Sequence, residues 1–133
     1  MDTDAALTDQ LQLEAEGHPG IVEPGHAAVR YTNPTTGGDV LPTIRAEMHR
    51  VRRGTETAPR REAGSSVYQV FDGTGTFVLD GAEHTVAKGD LVVVPSWVAF
   101  RVAADEGLDL FRFSDHPIIE RLAFQRVHVE EGE

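Results

Sequence analysis

The residues of this chain that could carry chemistry are mainly arginine, glutamate and histidine. The stretch "APRREAGSSVYQV", residues 58–70, holds Arg60, Glu62, Ser66 and Tyr68. In extended backbone, alternation puts Arg60 and Glu62 on one strand face and Ser66, Tyr68 and Val70 on one face of the next. Further on, Arg112 breaks the apolar pattern of "LDLFRFSD". An arginine on the wall of a barrel must find a partner, because an unpaired buried charge is very costly. Glu62 is a ready partner for Arg60. A carboxylate ligand is another, since guanidinium matches carboxylate in a bidentate fork. Tyr68 reads as a core aromatic with a satisfied hydroxyl.

The histidines offer little by comparison. They are His18, His26, His49, His84, His116 and His128, and no two have the one-apart spacing that aims two imidazoles from one strand face. His18 and His26 fall in a connector and His128 in an acidic tail, so all three are expected at the surface. His116 is expected at the start of a last helix, and His49 and His84 on strands, away from the barrel lining. The chain has no cysteine, which excludes disulfide scaffolds and thiolate metal sites. It has no nucleotide-binding loop, nucleophile elbow or P-loop pattern.

The elements that would position these groups are mostly strands. Short apolar runs broken by Gly and Asp predict strands near 43–51, 66–71, 75–80, 83–87, 91–95, 98–103 and 108–114. "FDGTGTF" and "LDGAEH" both read as hairpin turns, because Asp-Gly tolerates the positive φ of tight turns. "LVVVP" is apolar throughout, as in a strand covered on both faces. Many short strands at this spacing predict an all-β sandwich or barrel. "SDHPIIERLAFQRV" predicts one closing helix, capped by Ser114 or Asp115, with Pro117 in its first turn. Pro95 and Trp97 are expected to shape a turn between two strands.

Ahead of the strands, "DAALTDQLQLEAEG" spaces Leu7 and Leu11 as on a short amphipathic helix, with Gly17 as its stop. Pro- and Gly-rich sequence follows and predicts a connector with no packed element. The domain organisation expected is therefore a helix and linker arm over 1–30 and one β domain over 31–133.

The chain has 133 residues, enough for one core and too few for two. Its net charge of −10 argues against nucleic acid, which needs a cationic face. The basic residues are eleven arginines and Lys88, a skew that fits an acidic, well-solvated surface. No apolar run approaches the ~18 residues of a membrane span. The N-terminus has neither the basic region nor the apolar core of a secretory signal, so a cytoplasmic address is expected.

Two Gly-anchored segments carry a resemblance. Gly54 is followed by five residues, then Arg60-Arg61-Glu62, three residues, Ser66, six residues and Gly73. Gly89 is followed by five residues, Pro95, one residue, Trp97, two residues and Phe100. This spacing resembles the two motifs of the cupins, whose metal-binding members carry His, His, Glu and His where Arg60, Glu62, Ser66 and Phe100 stand. The blocks "YTNPTTGGDVLPTI", "GSSVYQVFDGTGTF", "GDLVVVPSW" and "LFRFSDHPIIERL" are similar to the C-terminal half of the gentisate 1,2-dioxygenase family, from about Tyr31 to Leu122.

The resemblance implies a single cupin jelly-roll barrel and a place among ring-cleaving dioxygenases of aromatic-acid catabolism, bicupin enzymes that use Fe(II) and O2. In that family the iron generally sits in the N-terminal cupin, and this chain resembles the other half. Arg60 cannot ligate, Phe100 has no lone pair, and Glu62 and Ser66 alone do not hold iron selectively. No metal or other cofactor is therefore expected in this chain, which would serve as the structural or assembly half and be inactive alone. A homodimer is expected, with an N-terminal-type cupin subunit as a further partner. Two other readings are a stand-alone cupin that binds a small aromatic acid through Arg60 or Arg112, and an Fe(II) dioxygenase with unrecognised ligands.

Overall fold

The protein is described by a computed structural model over residues 26–129. The N-terminal helix expected in "DAALTDQLQLEAEG", and His18 with it, lie outside the described residues. Strands dominate: β1 (His26–Arg30), β2 (Arg45–Val51), β3 (Arg60–Glu62), β4 (Ser66–Leu79), β5 (Ala82–Ala87), β6 (Leu91–Val94), β7 (Phe100–Ser114) and β8 (Val127–Val129). One short helix, α1 (His116–Arg121), lies between β7 and β8. The class is all-β, as expected. Among the described residues no helix is long and apolar enough to cross a membrane.

All eight strands join one curled sheet. The two longest, β4 and β7, pair antiparallel from Ser66↔Ser114 to Leu79↔Phe100 and form its spine. On the far side of β7 lies β2, which pairs in turn with β1. On the far side of β4 lie β6 and β5, against its first and second halves. Period-two alternation turns Val70, Phe77, Val92, Val94, Val102, Leu108 and Leu110 inward, where they form the core.

Several expected boundaries move. "FDGTGTF" is not a hairpin, because β4 runs through it. The Asp72–Gly73 step forms a bulge instead, with register shifts against β7 on either side of it. Gly73 has a φ of 93°, and a Cβ there would lie 1.9 Å from the Gly107 carbonyl oxygen. Only a glycine permits that approach. The two strands expected at 98–103 and 108–114 likewise merge into β7. "LDGAEH" does turn, with Asp80 and Gly81 both at positive φ between paired Leu79 and Ala82.

The connector is packed at its end, since β1 lies on β2 with Ala27 fully buried. The apolar run of β6 is covered on one face only, leaving Leu91 and Val93 exposed. The closing helix stops at Arg121. Ala123 turns left-handed, and Val127–Val129 then pairs with β3 as a strand. Asp115 precedes α1 without capping it, because its Oδ1 accepts from the Ser65 amide instead, at 2.8 Å.

Candidate functional site

Toward one end of the sheet the inward positions become polar. Strand β2 alternates so that Arg45, Glu47, His49 and Val51 face in, and β7 does the same with Leu108, Leu110, Arg112 and Ser114. The register places Arg112 directly between Glu47 of β2 and Tyr68 of β4. With only 5% of its surface exposed, the Arg112 guanidinium must satisfy its donors inside the protein.

Its partners converge from four elements. Nε and Nη2 donate to Ser66 Oγ at 2.9 and 2.7 Å, and Nη2 donates to Glu62 Oε2 at 3.0 Å. Nη1 lies 3.6 Å from Glu47 Oε1. His116 Nε2, on α1, is 3.5 Å from Nη2. The Tyr68 ring lies beneath the guanidinium, 5.3 Å from its carbon to the ring centroid, a cation–π arrangement. One buried cation therefore sits among two carboxylates, a hydroxyl, an imidazole and an aromatic face.

A second group backs the first. His49 Nδ1 and His26 Nε2 share a 2.8 Å hydrogen bond. His49 Nε2 is buried with no hydrogen-bond partner among the described residues and faces Glu47 Oε2 at 3.6 Å, beyond hydrogen-bond distance. Burial, with Arg112 and His26 nearby, drives the His49 imidazole down to about 4 despite Glu47. Burial would raise the Glu47 carboxyl, but His49, Arg112 and Arg30 outweigh it and hold it at about 2. Burial lifts the Tyr68 hydroxyl to about 12. Burial and the Arg112 charge lower the His116 imidazole. Near neutral pH, then, Glu47 is a carboxylate, Tyr68 keeps its proton, and His49 is neutral.

At the rim, Arg45 forks onto Asp39 and also bonds Glu120, tying the 39–44 turn to α1. A cavity of about 180 Å3, lined by Arg45, Glu62, His116, Ile119, Glu120 and Arg126 among others, lies there.

The residues singled out from sequence separate into three groups. Glu62, Ser66, Tyr68 and Arg112 come together around one guanidinium. Phe100 packs in the core at 6.1 Å from Tyr68. Arg60 does not pair with Glu62 as expected. Its strand is three residues long, its side chain is half-buried, and its buried Nε has no hydrogen-bond partner among the described residues. Glu62 bonds Arg112 because that charge is the deeper of the two, anchored on a central strand. His49 and His26, expected away from the lining and at the surface, are both buried inside. His84 and His128 are exposed, as expected. Glu47, His49 and His26 were the residues missed. The signal was in "RAEMHRV", whose alternate positions are Arg, Glu, His and Val, a period-two pattern with polar groups on the inner face.

Residues 47–110 match the cupin domain family model. The domain is a cupin. Over 124 residues the chain is 55% identical to a gentisate 1,2-dioxygenase of a Streptomyces species, which covers 93% of this chain and 35% of that protein. A 5-aminosalicylate 1,2-dioxygenase of a Comamonas species is 34% identical over 92% of this chain and 32% of its own length. Among solved structures, a salicylate 1,2-dioxygenase of Pseudoaminobacter salicylatoxidans, determined with gentisate, superposes with a TM-score of 0.92 at 58% identity, covering 98% of this chain and 36% of that one. The chain thus spans about a third of the length of these relatives.

The positions at which metal-binding cupins carry ligands do not fit an iron ion in this cupin. Arg60 is cationic, Phe100 has no donor atom, and both Glu62 and Ser66 are already bonded to a guanidinium. A divalent cation beside permanently protonated Arg112 would meet direct repulsion.

Proposed function

We propose that this cupin is a metal-free, structural part of a gentisate 1,2-dioxygenase-like protein, corresponding to the C-terminal cupin of the longer enzymes it resembles. The observation that carries this reading is the Arg112 guanidinium, which bonds the two oxygen-bearing residues of the ligand frame. A fixed cation of the protein takes the electrostatic place of the metal. With Glu47 and Glu62 both facing one guanidinium, the cluster has no positive charge to spare. The same count weighs against a small aromatic acid bound at Arg112.

An assembly role is supported by the outer sheet face. Phe71, Leu91, Val93 and Phe113 are 62%, 65%, 59% and 45% exposed on β4, β6 and β7, with Val67 and Phe111 between them. An apolar face of this kind marks an interaction surface. Its occupant on this reading is a second cupin unit, in the same polypeptide or in a partner.

The test is anaerobic reconstitution with Fe(II), followed by metal analysis and O2 uptake with gentisate. The expected result is iron far below one per chain and no uptake. Stoichiometric iron with ring cleavage would overturn the reading and turn attention to the buried histidines.

A further inference from the structure

The geometry points to the free edge of β8 as a docking site for a second copy of this chain, strand to strand and antiparallel. This edge is separate from the outer sheet face described above, so the two surfaces can be tested one at a time. β8 is the last strand of the path β1-β2-β7-β3-β8, and among the described residues no strand pairs with its far side. Its register on β3 is Arg60↔Val129, Arg61↔His128 and Glu62↔Val127, and the Ala63 amide donates to the Arg126 carbonyl at 2.8 Å. In an antiparallel ladder, hydrogen-bonded positions recur at every second residue. Arg126 and His128 therefore spend their backbone groups on β3, and Val127 and Val129 aim theirs outward. Such a row of open amides and carbonyls is a template for another strand.

The side chains agree. Val127 and Val129 share a sheet face with Glu62 and Arg60, yet they are 60% and 42% exposed because no described strand lies beyond them. Leu122 and Phe124, 55% and 63% exposed, extend the apolar surface just ahead of the strand. What selects a second copy over another partner is the sequence. "RVHVE", residues 126–130, is self-complementary when laid antiparallel on itself about His128. Val127 then meets the partner's Val129, Arg126 meets the partner's Glu130, and the two His128 residues face each other. The same register bonds Val127 and Val129, the residues whose backbone groups are open, and leaves His128 at a non-hydrogen-bonded pair. Backbone and charge thus select one register. Apolar β-branched and opposite-charge cross-strand pairs are both favourable, and a twofold axis counts each of them twice. Residues 118–129 hold Glu120, Arg121 and Arg126, a net +1 in a chain of −10, so two acidic copies meet least repulsion here.

The full chain has no cysteine, so a single introduced one reports on this contact alone. Non-hydrogen-bonded pairs bring Cα atoms to about 4.5 Å, within the range that a disulfide spans. His128→Cys is expected to form a disulfide-linked dimer under mild oxidation, whereas Lys88→Cys, in the exposed turn after β5, is expected to stay monomeric. Sedimentation is then run in a Leu91→Lys, Val93→Lys background, which silences the outer face and is expected to keep a concentration-dependent dimer. In that background Arg126→Glu should weaken the dimer roughly tenfold by setting like charges against each other. Adding Glu130→Arg should restore it. A His128→Cys chain that cross-links no faster than the Lys88→Cys chain would overturn the proposal. So would a double charge exchange that stays as weak as Arg126→Glu alone. A dimer that disappears in the Leu91→Lys, Val93→Lys background would overturn it too, and would assign self-association to the outer face.

Discussion

The two ends of the barrel interior are built from the same strands and held together by different forces. At one end Val51 of β2, Val70 and Phe77 of β4, and Leu108 and Leu110 of β7 pack as a dry apolar core. At the other, the same three strands turn Glu47, Ser66 and Arg112 inward. Tyr68 stands at the border, with its ring against Phe77 and Phe100 on one side and under the guanidinium on the other. The apolar end is non-directional and tolerates exchange of similar volumes. In the polar end each partner compensates another, so removing one leaves the rest worse off than if the group had never been there. A buried ion cluster is therefore weak evidence for added stability and stronger evidence for a constraint on which side chains can coexist.

The largest effects should come from truncating each end in turn. Phe77→Ala is expected to cost about 4 kcal/mol through lost burial and the cavity left behind. Arg112→Ala should cost about 3–5 kcal/mol by removing the cation that Glu62 and Glu47 face. Urea denaturation at pH 7 and again near pH 4.5 separates the two. The Phe77→Ala cost should stay nearly constant, whereas the Arg112→Ala cost should shrink as acid neutralises carboxylates that no longer have a cation. Equal pH dependence would erase the distinction between the ends.

Acid alone should next reveal the polar end. His49 titrates at an ordinary 6.5 when unfolded and at about 4 in the fold. Between those values the unfolded chain takes up a proton that the folded chain refuses. Stability should therefore fall as pH drops from 6.5 to 4, by on the order of 3 kcal/mol. Glu47, depressed from 4.5 to about 2, extends the loss below pH 4.5. His49→Gln should flatten the slope between pH 6.5 and 4, and an unchanged slope would assign the acid sensitivity elsewhere.

The smallest effect on stability belongs to the outside. Leu91→Lys combined with Val93→Lys should change the unfolding free energy by only about 0.5 kcal/mol, as at most exposed sites. The same pair should abolish any self-association through this face, as read by sedimentation. A loss of several kcal/mol would mean that this face is packed within the chain.

The class of fold was legible because period-two apolar runs and Gly-anchored spacing are local signals. Strand ends were less so. Asp-Gly signals a turn at Asp80–Gly81 and a bulge at Asp72–Gly73, and the difference depends on whether the partner strand continues past it. β1 and β8 escaped notice because each is short and exists only by pairing with a distant segment. Within the site, Arg112 and Glu62 stood out as charges on predicted strands. Their mutual bond did not, because 50 residues separate them and the register of β7 against β2 and β4 decides who meets whom. His49 was passed over for the same reason: a lone histidine on a strand does not announce which face is in.

The contact between Gly73 and Gly107 has a consequence for how the molecule opens. Strands β4 and β7 each run from the charged end to the apolar end, and at the bulge between them their backbones come too close for a side chain at Gly73. Neither end can loosen its ladder of amides without pulling on the other through that contact. Slow amide hydrogen exchange should then be shared by both ends of the two strands, and lost from both together, so that the barrel opens as one unit.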